Sequence, residues 1–170
     1  MRKTALCLAA VLLMVACTPN REKRLKAIER QKAELSALDY ITEDTDIATI
    51  LKLYRTFAAD FPTDSLAPQF LMDAADICNS VGRYGDAVGL LDTVIAFYPG
   101  FEDLGGCWFL KGLAYENAGE VDSARAAYTY FVDNYPDHSL AADTRMMLPM
   151  VGMSPEEMLE AVLGGAESGV

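Results

Sequence analysis

The chain has 170 residues, of which 52% are apolar or aromatic, and it carries 25 Asp and Glu against 14 Lys and Arg, a formal charge of −11 at pH 7. That balance excludes a nucleic-acid surface, which needs clustered Lys and Arg to neutralise phosphate. A single histidine and four cysteines also leave little material for a metal centre, where several such ligands must converge.

Taken in chain order, the sequence opens on Arg2 and Lys3, followed by the uncharged, mostly aliphatic run from Ala5 to Ala16. A run of this length is too short to span a bilayer as a helix and reads as a signal-peptide core, so residues 1–16 are expected to be removed on export. The stretch Met14-Val15-Ala16-Cys17 resembles the lipobox of bacterial lipoproteins, with Met in place of the commoner Leu. The resemblance implies diacylglyceryl transfer to the Cys17 thiol, cleavage before it and acylation of the new amino terminus. Two or more acyl chains give stable anchoring. Residues 17–20 then form a lipidated link. Thr18 follows the cysteine, with no Asp there and no acidic cluster just beyond. This gives no familiar retention or surface-export signal and points to an outer membrane, on the leaflet facing the periplasm.

Loss of Arg2 and Lys3 leaves 12 basic and 25 acidic residues, a formal charge of −13. Half of those basic residues (Arg21, Lys23, Arg24, Lys26, Arg30 and Lys32) fall beside the anchor, while residues 33–170 carry 6 basic and 23 acidic side chains, a balance of −17. The basic stem suits either anionic head groups or a plain solvated helix face. Within it, Leu25, Ile28, Leu35 and Leu38 predict a helix with a narrow apolar stripe over 21–38. A second helix follows on Ile47, Ile50, Leu51, Tyr54, Phe57, Ala58 and Phe61, behind the acidic Glu43, Asp44 and Asp46 and stopped by Pro62.

Gly82 and Gly119, Ala87 and Ala124, Leu91 and Tyr128, and Pro99 and Pro136 then recur at one offset of 37 residues, and Pro62 lies another 37 upstream of Pro99. A fixed period of this size marks stacked helical hairpins, each unable to bury its apolar face alone. The frame predicts helices over 68–81 and 84–98, then over 104–118 and 121–135, with Gly82 and Gly119 as left-handed turn residues. Ser139-Leu140-Ala141 echoes Ser65-Leu66-Ala67 and restarts the motif. Ser154, Pro155 and Glu157 form a capping box that opens a last helix with Met158, Leu159, Val162 and Leu163. The fold class is therefore all-α: a short right-handed solenoid of antiparallel helix pairs over 21–163. It comprises a degenerate unit at about 21–62, repeats at about 66–99 and 103–136, capping helices at about 139–163 and a fraying tail at 164–170. Cys78 and Cys107 fall about eight residues out of step on neighbouring first helices, about 12 Å along the axis, which predicts two buried free thiols rather than a disulfide.

Trp108, Gly112, Tyr115, Gly119, Ala124, Tyr128 and Pro136, with Ala75, Gly82, Tyr84, Ala87, Leu91 and Pro99 before them, resemble the signature of the tetratricopeptide repeat. Lys111 stands where that family has Leu, Cys78 where it has an aromatic, and each unit exceeds the usual 34 residues by three. The aromatic-Pro helix ends are similar to those of envelope lipoproteins of the outer-membrane assembly and Tol-Pal-associated type, which implies an adaptor for a protein or peptide in the cell envelope. The resemblance also implies a groove lined by Gln69, Met72, Asp76, Asn79 and Ser80 in one repeat and Gly106, Phe109, Leu113, Glu116 and Asn117 in the next. None of these is basic, which disfavours a carboxylate clamp and suits an amphipathic or basic segment. The convex face or the N-terminal helix remains the alternative binding surface. No catalytic residue, cofactor or metal ligand is expected: His138 reads as an exposed turn residue, Cys78 has no basic neighbour in local sequence, and the aromatics read as core. A glycan- or cell-wall-binding lipoprotein is the rival class, and a small hydrolase, for which no triad converges, is a third.

Overall fold

The computed structural model describes residues 20–37 and 47–160. The export segment, Cys17, the acidic run before the second helix, Val162, Leu163 and the tail lie outside the described residues. Among the described residues the helices follow one another as α1 Arg21–Ser36, α2 Ala48–Asp60, α3 Leu66–Ser80, α4 Tyr84–Phe97, α5 Leu104–Asn117, α6 Val121–Asn134 and α7 Ala141–Met147, then a 3₁₀ turn at Leu148–Met150. Each packs on the next, and α3 also touches α5. This is an all-helical solenoid of hairpins, in which every unit completes its neighbour's core.

The narrow stripe of α1 has found its support. Ile28 is fully buried, Leu25 and Leu35 pack on the main core, and Asn20 caps the helix by accepting the Lys23 N–H at 2.8 Å. Two ion pairs tie the helix down: Arg24 to Asp60 at 2.8 Å and Arg21 to Asp64 at 2.5 Å. Lys26 and Arg30 are engaged within the helix by Glu22 and Glu34. Four of the six stem cations thus have carboxylate partners of their own.

Helix α3 begins two residues before the position expected from Pro68. Asp64 explains it: its Oδ1 accepts the Leu66 N–H at 3.0 Å and its carbonyl accepts the Ala67 N–H at 3.0 Å. Pro68 then falls in the first turn, where a missing N–H costs nothing. At the other end, Gly82 (φ 78°) takes the left-handed conformation, with Arg83 N–H donating to Cys78 C=O and Gly82 N–H to Asn79 C=O. Gly119 (φ 76°) repeats this with Glu120 N–H to Tyr115 C=O and Gly119 N–H to Glu116 C=O. Both are Schellman closures, and such short turns return the following helix antiparallel.

The core runs from Ile28 through Phe57, Phe70 and Leu91 to Ala114. It continues as two smaller clusters around Tyr128 and Phe131. The C-terminal elements close the last open face: Arg125 donates to Val151 C=O at 2.7 Å and Arg145 to Val132 C=O at 3.1 Å. Ser154 and Glu157 form the expected reciprocal capping box, at 2.7 and 3.2 Å, ahead of helical residues 155–160.

Candidate functional site

Three identical turns carry the chain between units. Asp64, Phe101 and His138, each two residues after a helix-stopping proline and 37 apart, donate their N–H to the carbonyls of Phe61, Tyr98 and Tyr135. In the third turn His138 does what Asp64 does in the first: its Nδ1 accepts the Leu140 N–H at 3.2 Å. That contact places the imidazole proton on Nε2, which donates to Asp103 Oδ1 at 3.1 Å. The ring also stands edge-on to Phe131, 5.1 Å between centroids. His138 is therefore a half-buried latch, 22% exposed, and not the solvent-exposed turn residue expected from its loop position.

Asp103 is the N-cap of α5 and also accepts the Gly106 N–H at 2.9 Å. Its carboxylate so holds the start of α5 to the turn that follows α6. Between this latch and α3 lies an open cleft of about 240 Å³, lined by Met72, Asp73 and Asp76 of α3, Asp103, Gly106, Phe109 and Leu110 of α5 and its cap, and His138 and Leu140 beyond α6. Met72, Phe109, Leu110 and Leu140 make it apolar. The aspartates give it negative charge, and none of its lining residues is Lys or Arg.

The groove expected from the repeat resemblance is brought together in part. Met72, Asp76, Gly106 and Phe109 share the cleft. Gln69 sits at its edge, donating to Asp73 Oδ1 at 2.8 Å, and lines a second hollow of about 730 Å³ between the turns at Pro62 and Pro99. Asn79 and Asn117 meet at the far ends of α3 and α5, at 3.2 Å, and Ser80 turns back onto Ile77 C=O. Leu113 packs with Ala124, Tyr128 and Val151, because its position on α5 faces the closing segment. Glu116 is half-buried and accepts the Tyr128 hydroxyl at 2.8 Å, so it is a partner for a core tyrosine rather than a free groove acceptor. Sequence reasoning missed Asp73, Asp103, Leu110, His138 and Leu140. The shared 37-residue position of Asp64 and His138 was the available signal.

Asp76 has no hydrogen-bond or ion-pair partner among the described residues. Asp76 is solvent-exposed, and the protein packed around it, and secondly the charge of Asp73, raise its carboxyl from the ordinary Asp value. Cys78 and Cys107 are both buried and free. Burial raises both thiols, with Asp103 adding to the effect at Cys107, which reaches about 12. Raised thiols of this kind hold little of the thiolate that nucleophilic chemistry uses at neutral pH. Among the described residues no group of three His, Cys, Asp or Glu is placed to hold a metal, and no helix is long and apolar enough to cross a membrane.

A further hollow, of about 300 Å³, opens between α5 and α6 along Trp108, Lys111, Tyr115, Ser123, Ala126, Ala127 and Tyr130. Trp108 is half-buried rather than in the core interior, with the 43%-exposed Tyr130 ring 4.0 Å away. Lys111, at the position where Leu is usual, pairs with Asp92 of α4 at 2.5 Å and lies 5.0 Å over the Trp108 ring and 5.9 Å over Tyr115.

Compared with known protein families, residues 107–138 match the tetratricopeptide repeat. That segment spans nearly all of α5, α6 and the turn that ends in His138. No curated protein and no solved structure matches the chain. Repeats of this family generally mediate protein–protein interaction, and their fold is typically a non-catalytic scaffold.

Proposed function

We propose that the protein is a non-catalytic adaptor, held at a bacterial envelope membrane through lipidated Cys17, which docks a segment of a partner protein on the α3–α5 face. The observation that carries this reading is the apolar, acid-walled cleft built jointly by two repeats and the latch at His138. Such a surface exists only when the units stack, as expected of a repeat scaffold. The lipobox-like stretch at 14–17 supports the anchor, and the acidic body would keep the cleft in solvent, away from anionic head groups. The outer membrane, facing the periplasm, is the location that the residues after Cys17 favour. Arg21 and Arg24 are committed to Asp64 and Asp60, which leaves fewer free cations on α1 for a docking surface.

Two measurements test the reading. Cys17→Ala should move the protein from the membrane to the soluble fraction; retention would place the anchor elsewhere. In-cell crosslinking of the tagged, full-length protein should recover the same envelope protein repeatedly, and Asp76→Lys, a change at an exposed position of the cleft wall, should abolish its recovery while leaving the circular dichroism unchanged.

A second reading, a glycan- or cell-wall-binding lipoprotein, draws on the half-exposed Trp108 and Tyr130. Their stacking potential is already engaged, by each other at 4.0 Å and by Lys111. Titration with cell-wall oligosaccharides, read by Trp108 fluorescence, would promote this reading if it saturated.

A further inference from the structure

The α3–α5 cleft has a chemistry more specific than docking in general. Its volume, about 240 Å³, falls below the range of about 300–1,000 Å³ usual for small-molecule sites and suits one long side chain. Its floor is Met72, Phe109, Leu110 and Leu140, which favours an apolar stem. Its α3 wall carries Asp73 and Asp76, one helical turn apart and so on one face. Asp73 has one oxygen engaged by Gln69, and Asp76 has neither oxygen engaged. Asp103, by contrast, already receives Gly106 and His138 and belongs to the frame of the cleft.

Among the described residues no cation forms a hydrogen bond or ion pair with Asp76. Lys111 is held by Asp92 and Arg83 by Asp86, while Arg125 and Arg145 donate to backbone carbonyls in the closing segment. No three metal ligands converge here among the described residues. Filling the cleft with an apolar side chain alone would desolvate an unpaired carboxylate, which is costly. A side chain with an apolar stem and a cationic tip would bury its methylenes and neutralise the wall together.

Resting on the adaptor reading, we propose that the cleft selects its partner by one lysine or arginine side chain, its stem over Met72 and Phe109 and its head against Asp76 and Asp73. Asp76 is solvent-exposed in the free protein, and its carboxylate, next to Asp73, gains a cationic partner on binding.

The test uses purified full-length protein and N-acetylated, C-amidated nonapeptides with a Gly/Ser background and a central Leu-X-Leu, where X is lysine, arginine, norleucine or citrulline. Binding is read by fluorescence anisotropy and by amide chemical shifts. The lysine and arginine peptides should shift the amides of residues 72–76 and 106–110 and bind about tenfold more tightly than their uncharged analogues. Asp76→Asn should erase that difference, whereas Asp133→Asn, an equal charge change on exposed α6, should keep it. A preference that survives Asp76→Asn, or norleucine binding in the cleft as well as lysine, would overturn the selection and leave the adaptor reading standing. Absence of cleft shifts with every peptide would overturn both.

Discussion

Gly112 of α5 lies so close to Tyr128 of α6 that a methyl group at its α-carbon would sit 2.5 Å from the ring. The fully buried Tyr128 fills the space that the missing side chain leaves, and its hydroxyl returns to Glu116 on α5. Gly112→Ala is therefore expected to lower stability by about 1–3 kcal/mol through overpacking. In a double-mutant cycle read by urea denaturation, Tyr128→Leu should recover part of that loss. Additive losses would mean that the two helices are not held at this separation.

At Gly82 and Gly119 a side chain would meet nothing within 4 Å, so any cost of substitution comes from the positive φ alone. Gly119→Val should cost more than about 1 kcal/mol, and Gly119→Asn clearly less, since Asn tolerates the left-handed region. Thermal melts of the two variants check this. An unchanged melting temperature for the valine variant would remove the basis of the repeat frame.

Asp64 and Asp76 predict opposite responses to pH. The hydrogen bond from Arg21 holds Asp64 below its ordinary range. Its contribution is present above the unfolded-state pKa of about 4 and is lost as pH falls through the lower folded value. Asp76 is raised by burial and by Asp73; it opposes folding above its raised value and has no effect below the unfolded one. Asp76 is solvent-exposed, which weakens the effect, so Asp76→Asn should raise the melting temperature only slightly at pH 7.5 and leave it unchanged near pH 3.5. Asp64→Asn should lower it at pH 7.5, with a difference that shrinks in acid.

Lys111 bridges α4 and α5 with its side chain only 15% exposed, while Asp92 is 52% exposed. An exposed pair contributes little, and the rings of Trp108 and Tyr115 beneath the lysine can pack equally well on an aliphatic group. Lys111→Leu is expected to leave stability within about 1 kcal/mol of the parent, whereas Lys111→Ala should cost more, by opening a gap between the rings. Chemical denaturation of both variants distinguishes packing from charge as the role of this residue.

Most of the fold was legible because its signals are local. Proline stops, glycine turns and the capping box act through neighbouring backbone groups, so the 37-residue period placed the hairpins to within two residues. The site was less legible because it depends on which side chains meet across units. Phe109 and Leu113 were read as groove residues, but both also pack against the Tyr128 cluster, and Phe109 lies 5.8 Å from Phe131. Phe109→Ala would therefore disturb the core as well as the cleft, and Glu116→Lys would strand the Tyr128 hydroxyl. Met72 packs on the main core, so the exposed Asp76 is the cleanest probe. The latch at His138 is not legible in the sequence, because nothing local announces Asp103, 35 residues away, as its partner.

The most direct test of the central claim is site-specific photo-crosslinking in living cells, with benzoylphenylalanine in turn at Met72, Leu110, Thr129 and Lys32 of the full-length, lipidated protein. Met72 and Leu110 line the cleft, Thr129 lies on the exposed side of α6, and Lys32 is on α1. Adducts to one and the same envelope protein are expected from Met72 and Leu110, and none from the other two. Adducts from Thr129 or Lys32, with silence at both cleft positions, would contradict the claim.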